Sequence, residues 1–174
     1  MFSVIFPGQG SQVVGMGKDL YEKFEIVKRL FKDADETLNF PISKIILDGP
    51  KEQLDLTENT QPAIFLMSYS IFRLIKENFN IDLNKAKYFA GHSLGEYSAL
   101  ACSGSLSFSD TLKILKIRGK AMQNAVPKGQ GGMVAILGSK IDIIENILKE
   151  NISKYKCFIA NDNSEGQLVV SGEV

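Results

Sequence analysis

The feature that most restricts the fold of this chain is a Gly-x-Ser-x-Gly motif formed by Gly91, Ser93 and Gly95. An apolar segment, Tyr88 to Ala90, precedes it, and good helix-forming residues, Leu94 to Cys102, follow it. This order predicts a strand, a sharp turn and a helix, with the serine hydroxyl exposed at the turn. Unpaired N–H groups and a partial positive charge at the start of that helix favour an anion formed when Ser93 attacks a substrate.

The charge and residue composition exclude several classes of protein. The formal net charge is zero, with 20 basic and 20 acidic residues, so no nucleic acid or anionic membrane is expected as a partner. Two cysteines and one histidine are too few for a disulfide framework or a zinc site, so we expect no bound metal. The first six residues lack the basic start of a signal peptide, and no apolar run reaches membrane length. We therefore expect a cytoplasmic protein.

The pattern of the first 126 residues predicts an α/β core. Short apolar runs at Ser3 to Phe6 and Tyr88 to Ala90 are typical of buried parallel strands. The predicted helices are a stretch spanning Leu20 to Phe31, one short piece within Pro41 to Leu56, Pro62 to about Phe79, Leu94 to Cys102, and one capped by Ser107 or Ser109 that runs to about Ala125.

The pattern changes after Pro127, where the glycine-rich stretch 128–132 predicts a flexible junction. We expect a strand at Met133 to Leu137, a helix opened by Ser139-x-x-Asp142 to about Lys149, and strands at Cys157 to Ala160 and Gln167 to Ser171. A turn-rich segment, 161–166, joins the last two strands. This is the β-α-β-β part of a ferredoxin-like unit.

These observations predict two domains, 1–126 and 127–174, and both look incomplete. Two parallel strands are too few for a sheet covered by helices, and the second domain lacks the helix and strand that would close it. We therefore expect the chain to be the N-terminal part of a longer protein.

A serine nucleophile needs a base, and the single histidine is a poor candidate. His92 immediately precedes Ser93, and neighbouring side chains diverge at a sharp turn, so we expect its ring to pack and hydrogen bond behind the turn. If Ser93 is catalytic, its base must come from outside this stretch.

The glycine-rich segment from Phe6 to Gln12 allows two interpretations. It does not match a phosphate-binding loop, because Gly10-x-x-x-x-Gly15 is followed by Met16 instead of Lys and Ser or Thr. It can be the upstream loop that donates a second N–H to an oxyanion, or a plain strand-to-helix turn.

Arg118 has an unusual place on its predicted helix. At helical spacing it falls among Ile114, Leu115, Ala121, Met122 and Ala125, roughly 170° from the centre of a lysine face. A buried guanidinium needs an anionic partner. That partner is either an internal carboxylate, in a structural pair, or a substrate carboxylate held by two hydrogen bonds.

Taken together, these segments closely resemble bacterial malonyl-CoA:acyl carrier protein transacylases. The resemblance extends over the whole chain in the family's order. Its segments are Phe6 to Gln12, Thr60-Gln-Pro-Ala63, Gly91 to Leu100, Arg118-Gly-Lys and the Asn161-x-Asn-Ser164 turn. It implies a hydrolase-like three-layer core with a parallel sheet and an inserted ferredoxin-like subdomain.

The resemblance also implies roles for individual residues. Ser93 matches the nucleophile, the backbone N–H groups of Gln9 and Leu94 match the oxyanion hole, and Arg118 matches the partner of the malonyl carboxylate. The family's catalytic histidine and the residue that orients it correspond to positions beyond 174.

The activity implied is malonyl transfer for fatty acid biosynthesis. The substrates would be malonyl-CoA and the phosphopantetheine thiol of acyl carrier protein, with a malonyl-serine intermediate and no bound cofactor. One alternative is a serine esterase or thioesterase, which has no evident use for Arg118. The other is an inactive truncated chain that lacks the catalytic base, and we expect residues 1–174 alone to be inactive.

Overall fold

The structure is a computed structural model that describes residues 1–126 and 129–173. The chain divides into two compact units, Met1–Gln123 and Asn124–Val174, which are considered separately below. The expected boundary at 126/127 stays a prediction, and Pro127 and Lys128 lie outside the described residues. The junction expected at 128–132 is wrong at its end, because Gly131 and Gly132 pair with Glu173 and Gly172 as part of a strand.

The first unit begins with strand β1 (Ser3–Phe6), as predicted, followed by helices α1 (Lys18–Lys23) and α2 (Glu25–Leu38). The sequence predicts one continuous helical stretch here. This prediction is wrong, because Phe24 interrupts the helix. This residue is extended (φ −123°, ψ 119°), and its N–H donates to the Leu20 carbonyl at 3.0 Å, which ends α1. Its ring also contacts the Phe79 ring, with centroids 6.2 Å apart, a tertiary contact that helical periodicity does not encode.

The connection from Pro41 to Leu56 contains two short helices, α3 (Ile42–Asp48) and α4 (Lys51–Leu54), where one was predicted. Helix α5 (Thr57–Phe79) ends where predicted but begins five residues before Pro62. The reason is local. The N–H groups of Asn59 and Thr60 both donate to the Leu56 carbonyl, at 2.7 and 2.8 Å, so the helix starts there. Pro62 then lacks only one early hydrogen bond.

The elements around the serine motif follow the prediction closely. A short 3₁₀ turn (Leu83–Lys85) leads to strand β2 (Tyr88–Gly91), then to helices α6 (Leu94–Cys102) and α7 (Phe108–Ala125). Of the two cap candidates, Ser107 caps α7, because its hydroxyl accepts the Asp110 N–H at 3.0 Å.

Strands β1 and β2 pair in parallel, with Phe6 opposite Gly91 at the end of both. The loops that follow them therefore leave the same edge of the sheet. A small buried cluster, Phe6, Phe72, Ala99 and Cys102, packs helices α5 and α6 against β1. The larger core lies among the helices, with Phe31, Phe65, Leu66, Leu94 and Leu115 among its fully buried side chains.

The second unit contains strand β3 (Gly131–Leu137), helix α8 (Ile141–Asn151) and strands β4 (Cys157–Ser164) and β5 (Gln167–Glu173). The predicted β-α-β-β order is confirmed. The sheet order is β3-β5-β4, and both pairings are antiparallel.

Two local predictions in the second unit are wrong. The residue before α8 is Lys140, which makes no side-chain cap, so the Ser139 capping box does not form. The segment 161–166 is mostly strand, because β4 continues through Ser164 with two register shifts, and only Glu165 and Gly166 form the turn. Strand pairing with β5 overrides the turn preference of the Asn and Asp residues.

None of the helices in residues 1–126 and 129–173 combines the length and apolar character that a membrane crossing requires.

Candidate active site

Ser93 occupies a strained backbone position between β2 and α6. Its φ and ψ are 54° and −111°, outside the regions that L-residues ordinarily adopt, and the residue is exposed. Such strain persists only where the surrounding structure enforces it, and it concentrates at functional sites. The strand–turn–helix arrangement predicted from the motif is therefore present, with the hydroxyl-bearing residue at the bend.

The two motif glycines are required by close packing. A Cβ on Gly95 would lie 2.6 Å from the Phe6 carbonyl oxygen and 2.7 Å from that of Pro7. A Cβ on Gly91 would overlap the carbonyl group of Gly95. Helix α6 thus begins directly against the end of β1, which only a residue without a side chain permits.

The glycine loop after β1 lies beside the serine turn. The His92 N–H donates to the Phe6 carbonyl at 3.2 Å, and a Cβ on Gly8 would be 2.5 Å from His92 Nδ1. The imidazole therefore packs on this loop, and His92 itself stays exposed. Within residues 1–126 and 129–173, no hydrogen bond uses the backbone N–H of Gln9 or Leu94.

Arg118 lies next to the serine hydroxyl. Its Nη2 donates to Ser93 Oγ at 3.0 Å, and its Nη1 donates to Gln61 Oε1 at 2.7 Å. The guanidinium also lies over the Tyr97 ring, with Cζ 5.6 Å from the centroid. Gln61 lies on α5, Tyr97 on α6 and Arg118 on α7. The packing of these three helices therefore brings the guanidinium to the serine turn.

The surroundings of Arg118 differ from the prediction in one respect. The guanidinium lies at the edge of the packed face of α7, not in its middle, and it is half-buried. That face is Thr111, Leu112, Leu115 and Gly119, whereas Ile114 and Met122 are exposed. The reason is Gly119, because a Cβ there would lie 2.5 Å from the Thr57 carbonyl oxygen, so α7 approaches α5 along the glycine.

Lys116 lies at the opposite edge of this packed face of α7. Lys116 is half-buried, donates to Asn59 Oδ1 at 2.7 Å and lies 4.3 Å from the centroid of the Phe40 ring. It also pairs with Glu58 at 3.5 Å. No carboxylate of residues 1–126 and 129–173 pairs with Arg118, whose partners there are the neutral amide of Gln61 and hydroxyl of Ser93. The structural ion pair considered from the sequence is therefore not found in these residues.

Gln61 is the site residue that the sequence did not reveal. It is only 1% exposed, and both ends of its amide have partners, since Oε1 accepts from Arg118 and Nε2 donates to Met122 Sδ at 3.2 Å. Because the helix was predicted to start at Pro62, Gln61 lay outside any predicted element, although the run of five polar residues 57–61 before an apolar segment could have drawn attention to it. The described residues contain no cluster of three or more His, Cys, Asp or Glu side chains that could hold a metal ion.

Comparison with known proteins places this arrangement in a family context. Residues 3–174 match the acyl transferase domain family. The chain is 44% identical over 171 residues to the malonyl CoA-acyl carrier protein transacylase of Haemophilus influenzae, covering 98% of this chain and 54% of that protein. It is 44% identical over 169 residues to the transacylase of the same name from Bacillus subtilis, covering 97% and 52%.

Solved structures show the same similarity. An acyl-carrier-protein S-malonyltransferase from Bartonella henselae superposes with a TM-score of 0.93 at 44% identity, covering 99% of this chain and 55% of that one. A malonyl-transacylase in complex with its type II PKS acyl-carrier protein gives 0.90 at 40% identity, with 99% and 55% covered. The mixed α/β fold is thus shared with these enzymes, and the chain spans about half the length of the relatives it matches.

Proposed function

This chain belongs to the acyl transferase domain family, and on that premise we propose that it forms part of a malonyl-CoA:acyl carrier protein transacylase. The proposed enzyme moves a malonyl group from malonyl-CoA to the phosphopantetheine thiol of acyl carrier protein and so supplies fatty acid biosynthesis. The observation that carries the proposal is the guanidinium of Arg118 at 3.0 Å from the Ser93 hydroxyl.

The proposal explains why a cation lies beside the nucleophile. A malonyl group on Ser93 Oγ carries a free carboxylate two bonds beyond its ester carbon. A guanidinium at hydrogen-bond distance from Oγ, with a planar set of donors, suits such a carboxylate. A plain esterase or thioesterase has no need for a cation at this place, so the geometry favours the transacylase.

The proposed reaction has two half-reactions. Ser93 Oγ attacks the malonyl thioester and gives its proton to a base, while the carbonyl oxygen becomes an oxyanion. The C–S bond then breaks, the coenzyme A thiolate takes up a proton, and a malonyl-serine ester remains. The carrier thiol attacks this ester in the same way and releases Ser93. The base belongs to the part of the enzyme beyond residue 174, as the resemblance implies.

We assign the oxyanion site to the backbone N–H groups of Gln9 and Leu94. Three features support this assignment. Both N–H groups lack an acceptor among residues 1–126 and 129–173, both residues follow parallel strands that end at one sheet edge, and Leu94 is the first residue of α6. Each donor would stabilise the transition state by about 3 kcal/mol.

The half-buried position of Arg118 limits the selectivity that it can provide. A fully buried, unpaired cation would exclude an acetyl group strongly, but this guanidinium keeps access to water and neutral partners. A hydrogen bond to a charged group contributes about 1.5–3 kcal/mol. We therefore expect malonyl to be preferred over acetyl by about 10- to 100-fold from Arg118.

The architectural details remain part of the proposal. We propose that β1 and β2 belong to a larger parallel sheet in a hydrolase-like core, because exposed Ile5 (77%) and Tyr88 (59%) are unusual for complete buried strands. We propose that the β-α-β-β unit is part of a ferredoxin-like subdomain, on its strand order. The same proposal includes a domain boundary at 126/127, a cytoplasmic location and a reaction without a bound cofactor.

The experiment compares two fates of the acyl group in the full-length enzyme. Purified enzyme is given radiolabelled malonyl-CoA with and without phosphopantetheinylated carrier protein. We expect label on Ser93 without carrier, transfer to the carrier thiol when it is added, and no label in Ser93→Ala. Release of free malonate in place of transfer would indicate the esterase alternative, and label retained in Ser93→Ala would remove Ser93 from its role.

A further inference from the structure

The loop that carries Gln9 contains two polar residues, Ser11 and Gln12, that the proposed chemistry does not use. Each of these side chains hydrogen bonds to the backbone on one side of Gln9. Ser11 Oγ donates to the Gly8 carbonyl at 3.0 Å, and Gln12 Oε1 accepts the Gly10 N–H at 2.8 Å. The two peptide planes that flank the Gln9 Cα are therefore each held by one side chain.

The first of these bonds has a direct consequence for the oxyanion site. The Gly8 carbonyl and the Gln9 N–H belong to one planar trans peptide unit, so they point in opposite directions. The Ser11 hydroxyl, by fixing the direction of that carbonyl, also fixes the direction of the Gln9 N–H. Without it, this peptide is freer to rotate, because one of the two torsions that turn it is ψ of Gly8, a residue without a side chain.

The second bond is anchored outside the loop. Gln12 Nε2 donates to Asp55 Oδ1 at 3.0 Å, and Lys51 pairs with the same carboxylate. A carboxylate only accepts hydrogen bonds, so Asp55 sets which end of the Gln12 amide faces it and leaves Oε1 for Gly10. The Gln12 amide and the Lys51 ammonium hold the pKa of the Asp55 carboxyl below its usual 3.8, so the carboxylate is charged at neutral pH.

The same corner also touches Gln9 itself. Gln9 Nε2 donates to Thr57 Oγ1 at 3.5 Å, and Thr57 begins α5, the helix that carries Gln61. The Gln9 loop is thus hydrogen bonded at two points, to Asp55 just before α5 and to Thr57 at its start. Helix α5 also carries Gln61, which accepts a hydrogen bond from Arg118.

We propose that Ser11, Gln12 and Asp55 are positioning residues that hold the Gln9 N–H in the direction needed to bind the oxyanion on the Ser93 adduct. This inference rests on the proposed function, because it assigns how one oxyanion donor of that reaction is oriented. In the proposed reaction the three residues act through the Gln9 N–H and not on the reacting atoms.

The test uses the full-length enzyme and the variants Ser11→Ala and Gln12→Leu. We expect kcat for malonyl transfer to fall about tenfold in each, less than the 10²–10³ that removal of a donor costs. KM and the malonyl-to-acetyl ratio should stay within twofold of wild type, because Arg118 is untouched. Ser11→Thr, which keeps the hydroxyl, should retain most of the wild-type kcat, whereas Asp55→Leu, which removes the acceptor for Gln12 Nε2, should lower kcat as Gln12→Leu does.

The matched control is Ser103→Ala at the end of α6. Ser103 Oγ donates to the Leu100 carbonyl three residues earlier at 3.0 Å, the same kind of bond as in Ser11 but away from the site. We expect wild-type kcat in this variant. Unchanged kcat in Ser11→Ala and Gln12→Leu would overturn the inference, as would an equal loss in Ser11→Thr.

A second measurement separates this inference from the proposed function. An alkyl boronic acid forms a tetrahedral anionic adduct with a reactive serine and so reports on the oxyanion site without any malonyl transfer. Its inhibition constant should rise by the same factor as kcat falls, while the thermal unfolding midpoint stays near that of Ser103→Ala. If wild-type enzyme does not transfer malonyl groups, the proposed function fails; if boronate affinity is unchanged in Ser11→Ala, this inference fails.

Discussion

Single residues decide what the serine turn can do, and Gln61 is the one with the clearest structural role. Its buried amide accepts a hydrogen bond from Arg118 at 2.7 Å. Gln61→Leu should lower kcat/KM for malonyl-CoA about tenfold, because a hydrogen bond to a charged group contributes about 1.5–3 kcal/mol. Gln61→Glu should lower it further, since the new carboxylate competes with malonyl for the guanidinium. Steady-state kinetics on the full-length enzyme measures both.

The control for these variants is Gln53→Leu, at an exposed position on α4. It should leave kcat/KM unchanged. Wild-type kinetics in Gln61→Glu would show that Arg118 is not held by Gln61 during the reaction.

The two cysteines should differ in reactivity. Cys102 is buried, and burial raises the pKa of its thiol to about 12, partly offset by the charge of Arg73. At pH 8 almost no thiolate forms there, and the thiolate is the reactive species. With a maleimide reagent at pH 8, Cys157 of the folded chain should be labelled and Cys102 should react only after denaturation. Equal labelling rates in the native protein would contradict this expectation.

The sequence predicted the site only in part at this scale. Ser93 was recognisable because a sharp strand-to-helix turn needs small neighbours at fixed spacing, which is a local requirement. The approach of Arg118 to Ser93 depends on how α7 packs against α5 and α6, and helical periodicity placed the arginine in the middle of the packed face when it lies at the edge. Gln61 was missed because its role depends on the same packing.

Among the elements, the start of α6 against the end of β1 is the most demanding contact. An alanine inside a helix is normally more stable than glycine by about 0.5–1 kcal/mol. Gly95→Ala should reverse that sign and destabilise the protein by about 1–3 kcal/mol, because its Cβ would meet the carbonyl oxygens of Phe6 and Pro7. Chemical denaturation of the full-length enzyme measures the change.

Gly104→Ala is the comparison variant for this measurement. Gly104 has a positive φ of 87°, which Gly95 does not, and nothing lies within 4 Å of a Cβ built there, so Gly104→Ala measures backbone strain without a clash. If Gly95→Ala is as stable as wild type, the close approach of α6 to β1 is not required.

Element boundaries were predictable where local signals act alone. The limits of α6 matched the sequence analysis because the motif starts the helix. The start of α5 did not match, because Thr60 Oγ1 and Asn59 Nδ2 bond to the carbonyls of Leu54 and Gln53, at 2.6 and 2.8 Å. These side-chain bonds stabilise a helix start that proline statistics place later.

For the whole molecule, the two units differ in how much apolar surface they bury. The first has an extended core, whereas in the second only Ile144 and Leu168 are buried apolar residues among those described, and Leu137 is 72% exposed. A small sheet with one helix gains little from such a core.

We therefore expect unequal stability in the 174-residue chain. Amide hydrogen exchange followed by mass spectrometry should show faster exchange in β3, β4 and β5 than in α2 and α5. Equal protection across both units would contradict this expectation. The β-α-β-β order was predictable from the alternation of apolar residues, but the register shifts in β4 were not, because they depend on pairing with β5.

The central claim is that Arg118 recognises the free carboxylate of an acyl group carried by Ser93. The most direct measurement is the rate of acyl-enzyme formation from malonyl-CoA and from acetyl-CoA, in wild-type and Arg118→Ala full-length enzyme. Acetyl-CoA reports any effect of losing the hydrogen bond to Ser93 Oγ alone. We predict a 10- to 100-fold loss with malonyl-CoA and little change with acetyl-CoA. Equal losses with both substrates would contradict the account.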